Sequence, residues 1–530
     1  MLFTSYEFIG FLAILLLLYY LIPKKFQWVL LLIGSYVFYF ISNPIYLLYI
    51  LTTTTMVYLI ALKIEKRKKI QSDFLKAHKE DLSKEDKKLY KGHQKKILFR
   101  WLLLGLIIGL GILAVIKYTN FTISNINGIL KAFGSSTELS FINIIVPMGI
   151  SFYTFQAIGY LIDVYRGTVT AQKNFFKFAL FVSFFPQLVQ GPISRYGDLS
   201  QTLYEEHRFD MKTFTFGLER ILWGFFKKLV IADRILIAVN TLIKDTDTYH
   251  GAYVFVGMMF YALELYCDFT GGIDITIGVA QSLGITLTEN FNRPFFSKNI
   301  KEYWNRWHIT MGSWFTDYIF YPITVCGPML KISKWSRAHL GEVIGKRVPI
   351  YLSSFVVWFT TGIWHGASWN FIVWGLGNFV VIMISQELEP LYNKFHKRFN
   401  LRDNRAYQGF EVIRTVLLMS ALRSFDCYRD VPLTFKMFGT MFTSGNWGVL
   451  FDGSLLSLGL EIKDYIICAV GVLILFSVSM LQRKKGVRER IFSLAVPVKS
   501  VIWFGLFLAV LLFGIYGIGY DATQFIYNQF

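Results

Sequence analysis

What this 530-residue chain has little of already narrows its class. Only 17% of its residues are Asp, Glu, Lys or Arg, against roughly 25% in soluble domains, so the several charged-surfaced cores of a soluble protein this long are not expected. Its four cysteines, Cys267, Cys326, Cys427 and Cys468, lie far apart and form no CxxC pair, which excludes a disulfide framework and a zinc cage. No GxSxG elbow, HExxH pair, Walker A loop or GxGxxG cradle occurs, so the commonest hydrolase, metalloprotease and nucleotide-binding signatures are missing. No internal repeat is evident.

What is present is apolar and aromatic: 54% hydrophobic residues, with 51 Phe, 30 Tyr and 13 Trp. Content this high excludes disorder and calls for a polytopic membrane protein. A spanning helix needs about 20 mostly apolar residues. Candidate runs cover 8–22, 26–40, 46–62, 101–116, 141–162, 175–189, 211–243, 254–283, 350–364, 371–384, 412–422, 466–480 and 501–518. The first run has neither a basic leader nor a small-residue cleavage site, so a retained helix is expected rather than a signal peptide.

The one long hydrophilic stretch, 63–100, carries 14 Lys or Arg against 6 Asp or Glu. The positive-inside rule puts this loop in the cytoplasm, together with Lys24 and Lys25, and the N-terminus outside. Basic clusters at 331–347, 394–405 and 483–490 repeat the signal. Much of the net charge of +19 is therefore read as topology, with contacts to anionic membrane lipids and no nucleic-acid partner. Two stretches break the pattern. Pro186 and the Gly191–Pro192 pair interrupt 175–192, which is expected to enter the bilayer and return, and 285–321 is rich in Asn, Arg and Trp between apolar segments. Irregular backbone at depth survives only where protein buries it or it lines a cavity, so a site is expected in this middle third.

Ionisable groups inside apolar runs are expensive and face a cavity or a partner. Glu264, Asp268 and Asp274 lie in the run 254–283, the first two at i,i+4 on one helix face. They either pair structurally with arginines such as Arg293 or Arg306, or line a polar cavity. Of eight histidines, two have aromatic surroundings: His308 in YWNRWHIT (303–310) and His365 in TGIWHGASWN (361–370). Each is either a packed, hydrogen-bonded ring or a neutral general base. With no marked nucleophile, direct transfer is the simpler chemistry: a histidine deprotonates an acceptor hydroxyl that attacks a bound thioester. A covalent acyl intermediate on Ser151, Ser313 or Ser368 is the other route.

The segment WNRWH (304–308) continuing to WFTDYIFYP (314–322), and WHGASWNF (364–371) followed by Trp374 and Gly375, resemble motifs of the membrane-bound O-acyltransferase superfamily. Within it they are most similar to the bacterial branch of alginate and peptidoglycan O-acetyltransferase membrane subunits. The stretches YCDFTGG (266–272) with Asp274, NFNRP (290–294) and FPQLVQGP (185–192) carry the same resemblance, which is continuous over about 150–380. Gly272, Met311–Gly312 and Asn378 depart from the pattern and bear on substrate preference more than on reaction class.

The resemblance implies an all-α polytopic membrane fold of about 11–13 helices with re-entrant segments around a central funnel or tunnel. The expected organisation is one integral membrane acyltransferase domain over 1–530, with a basic cytoplasmic loop at 63–100, a core carrying the catalytic motifs at 150–380 and C-terminal helices at 410–530. His365 is the implied catalytic base and His308 the second catalytic residue. Asp268, Asp274, Asn305, Arg306, Trp364, Trp369 and Asn370 are the expected substrate-binding residues. No metal and no bound cofactor is expected; the acyl donor is acetyl-CoA or another acyl thioester. If 346–347 and 394–405 are both cytoplasmic, 350–385 is a hairpin turning near His365, deep in the bilayer or toward its outer side.

The expected function is transfer of an acetyl group from a cytoplasmic thioester, across a bacterial plasma membrane, toward hydroxyls of an extracellular polysaccharide. An extracellular or membrane-anchored partner acyltransferase is the implied companion. D-alanyl transfer to teichoic acid is the alternative within the class, and the extended chain after Arg402 leans against it. From other classes come an ion or solute transporter using Glu264, Asp268 and Asp274, for which inverted-repeat hydropathy is not seen, and a scaffold in which the histidines are merely packed.

Overall fold

In the computed structural model the described residues are 2–483 and 486–517. Among them the chain is α-helical, with short 3-10 and π segments and no strand. Seven helices among the described residues are long and apolar enough to cross a membrane: Lys24–Ser42, Tyr46–Ala77, Lys84–Ala132, Ala252–Ser282, Trp369–Phe399, Ile462–Leu481 and Val496–Phe513. The protein is thus an all-α, multi-pass membrane protein. It divides into two compact units, Met1–Phe214 with Ala280–Thr288, and Thr215–Val279 with Glu289–Phe530.

In the first unit the basic stretch 63–100 is not a loop. It forms the charged ends of two helices, Tyr46–Ala77 and Lys84–Ala132, joined by a turn. Lys and Glu are good helix formers, so the run stays helical despite its charge. Ser83 caps the second helix, its Oγ accepting from the Asp86 N–H at 3.1 Å, with Glu85 and Asp86 in the first turn. Its 49 residues extend about 74 Å, more than twice the ~30 Å hydrocarbon thickness of a bilayer, so charged and apolar parts need not compete for the same depth. The helix expected from 141 begins only at Ile150, because Pro147 and the left-handed Gly149 (φ 72°) interrupt the backbone before it.

The interior of this unit is aromatic. Phe8, Phe38 and Phe185 meet with ring centres 5.7–6.5 Å apart, and the buried Tyr39 donates its hydroxyl to the Met148 carbonyl at 2.6 Å. The interrupted run 175–192 is two short helices, Phe175–Ser183 and Phe185–Gln190, with Pro186 in the first turn of the second. The Phe185 N–H at the break donates to the buried Ser35 Oγ at 3.1 Å, so the neighbouring helix supplies the partner that the broken helix lost.

In the second unit, Ala252–Ser282 is the most enclosed spanning helix, 72% of its apolar window being buried, whereas Val496–Phe513 has none buried. The run 211–243, continuous by hydropathy, is Met211–Phe225, a π turn at Phe226–Ala232, and Asp233–Lys244. Gly327–His365 bends at Gly341 (φ 79°, ψ 165°), so the helix expected from 350 is the far part of a longer, kinked one. It returns through Trp369–Phe399.

Candidate active site

The two arms of this hairpin approach so closely that only glycine fits between them. A Cβ on Gly362 would lie 2.6 Å from the Phe371 carbonyl oxygen, and one on Gly375 would lie 2.5 Å from that of Trp358. The close crossing brings His365, the last helical residue of its arm, against Trp374 of the other. His365 is buried, its ring edge-on to Trp374 at 4.7 Å and to Trp364 at 5.1 Å, and nearly parallel to Phe371 at 6.3 Å.

His308 reaches the same cluster from elsewhere in the chain. It caps the helix Ile309–Phe315 in the left-handed conformation (φ 48°, ψ 54°), a state that carries a strain of order 1–3 kcal/mol for a residue with a Cβ. Asn290 holds it there. The Asn290 carbonyl accepts from the Ile309 N–H at 2.9 Å, and its side-chain Oδ1 accepts from the Thr310 N–H at 3.0 Å and the Thr310 hydroxyl at 2.9 Å. Those donors identify the atom facing His308 Nδ1 at 3.2 Å as an acceptor oxygen. Nδ1 therefore carries the hydrogen and Nε2 is the basic nitrogen. Complete burial, then the positive charge of Arg423, push the His308 pKa down to about 3, so the ring is neutral at ordinary pH. His308 packs edge-on to Phe269 at 4.9 Å and to Trp364 at 6.0 Å. Trp364 thus touches both histidines.

A cation underpins the tryptophans. The Arg423 guanidinium lies 4.5 Å from the Trp374 ring centre, 5.3 Å from Trp307 and 5.8 Å from Trp304. Its charge is balanced three residues on by Asp426, at 2.9 Å, and both are buried. A desolvated cation–π contact contributes up to about 2 kcal/mol, and a planar guanidinium suits stacking in a way an ammonium does not. Asn378 ties two of the rings: its Oδ1 accepts from Trp304 Nε1 at 3.2 Å, and its Nδ2 donates to the Trp374 carbonyl at 2.9 Å. Asn370 donates to the Phe425 carbonyl at 3.2 Å.

The carboxylates take part in a different construction. Lys228, fully buried, lies 2.5 Å from Asp268 and 2.7 Å from Asp233, with Glu264 one helical turn before Asp268 and also buried. Asp274 binds Lys227 at 2.5 Å and Arg220 at 3.0 Å, and Lys227 also donates to Thr270 Oγ1 at 2.8 Å. The expected arginine partners are therefore corrected. Arg306 pairs with Glu302 at 2.5 Å, Arg293 donates to the Ser479 carbonyl at 3.4 Å, and the cations come from the π turn and the helix before it. Hydropathy could not show this, because Lys227 and Lys228 sit inside a run that reads as apolar.

Of the residues singled out by sequence, the fold brings His308, Trp364 and His365 into one aromatic cluster, and Asn370 is buried against the Phe425 carbonyl. Asp268 and Asp274 lie in the ion-pair network, joined to that cluster through the intervening Phe269. Asn305 is exposed, Arg306 is half-buried in its own ion pair, and Trp369 is 57% exposed at the start of its helix. Sequence reasoning missed Arg423, Asp426, Lys227, Lys228 and Asp233. The available signal was charge within or directly after an apolar run, the rule that flagged the carboxylates.

A family model described as the membrane-bound O-acyltransferase family matches residues 170–427. The chain is 32% identical over 452 residues to a probable alginate O-acetylase AlgI of Pseudomonas syringae pv. tomato, covering 84% of this chain and 76% of that one. It is 30% identical over 322 residues to the peptidoglycan O-acetyltransferase of Helicobacter pylori, 56% of this chain and 57% of that one. A teichoic acid D-alanyltransferase of Bacillus subtilis is 29% identical over 262 residues, 48% of this chain and 62% of that one.

Proposed function

This chain belongs to the membrane-bound O-acyltransferase family, and on that premise we propose that it transfers an acetyl group from a thioester donor to hydroxyls of an extracellular polysaccharide. The acceptor class follows the alginate and peptidoglycan acetylases to which it is similar. The observation that carries the mechanism is that two histidines distant in sequence share one buried tryptophan, Trp364, at 5.1 and 6.0 Å.

His365 acts as the general base. It takes the proton of the acceptor hydroxyl as the hydroxyl oxygen bonds to the acetyl carbon; the carbon–sulfur bond then breaks, and the thiolate leaves with the proton that His365 held. Such assistance contributes typically 10²–10⁴-fold. His308, with Nε2 as its basic nitrogen, is the second polar group beside the reacting centre, and its neutrality lets it accept a hydrogen bond without repelling a developing positive charge on His365. Trp364 and Asn370 shape the pocket in which donor and acceptor meet. Arg423 acts through the tryptophans and is a positioning residue. Asp268 and Asp274 support the wall that carries Phe269 against His308.

The donor is acetyl-CoA or another acyl thioester, entering from the cytoplasm of a bacterium; the acceptor lies outside, reached through an extracellular or membrane-anchored partner acyltransferase. The charge of 63–100, read by the positive-inside rule, supports a cytoplasmic hairpin tip, an external N-terminus and the plasma membrane as the site of action. Anionic lipids complement the basic clusters.

The test is His365→Ala, with acetyl content of the surface glycan read by NMR and the amount of protein in the membrane read in parallel. Acetylation is expected to fall at least ~10²-fold at equal protein. Full acetylation in that variant would sink the enzymatic reading.

A further inference from the structure

A cavity of about 680 Å³ lies within the second unit, in the size range of small-molecule sites. Its lining includes Ile309, the neighbour of His308, but neither histidine. Four of its charged groups cancel: Arg220 binds Glu289 at 2.5 Å and Asp274 at 3.0 Å, and Lys227 binds Asp274. Other lining groups are not accounted for in this way. Glu219 is only 7% exposed, and its Oε2 has no hydrogen-bond partner among the described residues. The indole Nε1 of Trp503 is a buried donor in the same condition. Arg293 donates to the carbonyl of Ser479, an uncharged acceptor.

The opposite wall is apolar. Ile502, Leu506 and Ala509 recur at helical spacing on Val496–Phe513, a helix with no buried residue. The cavity thus combines a carboxylate needing a donor, an indole N–H needing an acceptor, the guanidinium of Arg293 and a wall made from a lipid-type helix. A ligand that answers all of these has an ammonium, a phosphate and a hydrocarbon chain. We propose that this cavity binds one aminophospholipid, its ammonium on Glu219, its phosphate toward Arg293 and Trp503, and its chain along Ile502, Leu506 and Ala509. A polyanionic thioester donor fits less well: it would bring phosphates to a cavity that also holds Glu219 and Glu489 and would leave the apolar wall uncovered.

The experiment uses the full chain reconstituted in nanodiscs containing equal amounts of phosphatidylethanolamine and phosphatidylglycerol, with retained lipid identified by native mass spectrometry after gentle extraction. The wild type is expected to retain one phosphatidylethanolamine, enriched about tenfold over phosphatidylglycerol, as one charge-assisted hydrogen bond supplies. Glu219→Gln is expected to lose the preference. Ala509→Trp, which fills the cavity from its apolar wall and removes no charge, is expected to lose the lipid altogether and keeps the proposal testable if the first variant folds poorly. Retention of both lipids at the bulk ratio, retention unaffected by Ala509→Trp, or displacement of the lipid by acetyl-CoA would overturn it, the last by assigning the cavity to the donor.

Discussion

The second unit contains two buried polar constructions on neighbouring elements, and they differ in kind. In the ion-pair network each cation has carboxylates within 3 Å: Lys228 with Asp233 and Asp268, Lys227 and Arg220 with Asp274. In the histidine cluster the imidazoles are surrounded by Trp364, Trp374 and Phe269, and an ion pair, Arg423–Asp426, stands behind the tryptophans. Opposite charges at such distances in a low dielectric hold one arrangement against all others and have little capacity left for a substrate. Imidazoles among aromatic walls stabilise less, and in the proposed reaction they offer a basic nitrogen to the acceptor hydroxyl. The difference separates what holds the membrane core together from what can do chemistry in it.

The largest effect should come from breaking the network. Lys228→Met leaves Asp233 and Asp268 buried without their cation and is expected to cost about 3–5 kcal/mol, seen as loss of folded protein from the membrane. Adding Asp268→Asn should recover part of the yield, and a stable single variant would show that the network is not structural. Arg423→Lys probes the cluster instead. It keeps the charge beside Asp426 but loses the planar stack, and transfer should fall about tenfold at unchanged abundance. Equal activity would mean that the guanidinium does not position the tryptophans.

A smaller effect is expected at Asn290. Its replacement by Ala removes the acceptor for Thr310 and the partner of His308 Nδ1, lowering stability by roughly 1–3 kcal/mol and activity severalfold. Asn290→Asp keeps the acceptor and should restore stability. Its negative charge raises the His308 pKa, so the acid limb of activity should move to higher pH, whereas a purely structural role would leave that limb in place. The smallest changes belong to the exposed Asn305 and Trp369. Asn305→Ala and Trp369→Phe should alter stability by less than ~0.5 kcal/mol and leave kcat within about twofold. A raised KM for the glycan in either variant would extend the acceptor site onto that surface.

The spans, the hairpin turning near His365 and the two histidines were legible in the chain because hydropathy and short motifs are local properties. Several element boundaries were not. The start at Ile150 depended on Pro147 and Gly149 outweighing an apolar run, and the helical hairpin at 46–132 depended on propensity within a segment that hydropathy marks only as polar. Whether Asp268 and Asp274 pair with arginines nearby in sequence or line a cavity stayed open in the chain, and their lysine partners were not visible there. Lys227 and Lys228 reach them because the π turn at Phe226–Ala232 changes the phase of its helix, and a period of 3.6 cannot anticipate an inserted residue. Arg423 was hidden for a related reason, since the tryptophans it stacks on come from segments more than forty residues away in the chain.

By itself the sequence determined that this protein lives in a membrane, that its charge is gathered in a few basic segments, and that His308 and His365 stand in aromatic polar motifs similar to those of an acyltransferase family. These are sums over neighbouring residues, and a chain carries them before it folds. Only the tertiary structure decided which histidine edge meets which tryptophan, that one arginine braces three indoles, and that a cavity collects Glu219, Arg293 and Arg488. Those outcomes depend on the phase and closeness of packed helices, set at Gly362 and Gly375 by the absence of a Cβ and at Lys228 by a single π turn.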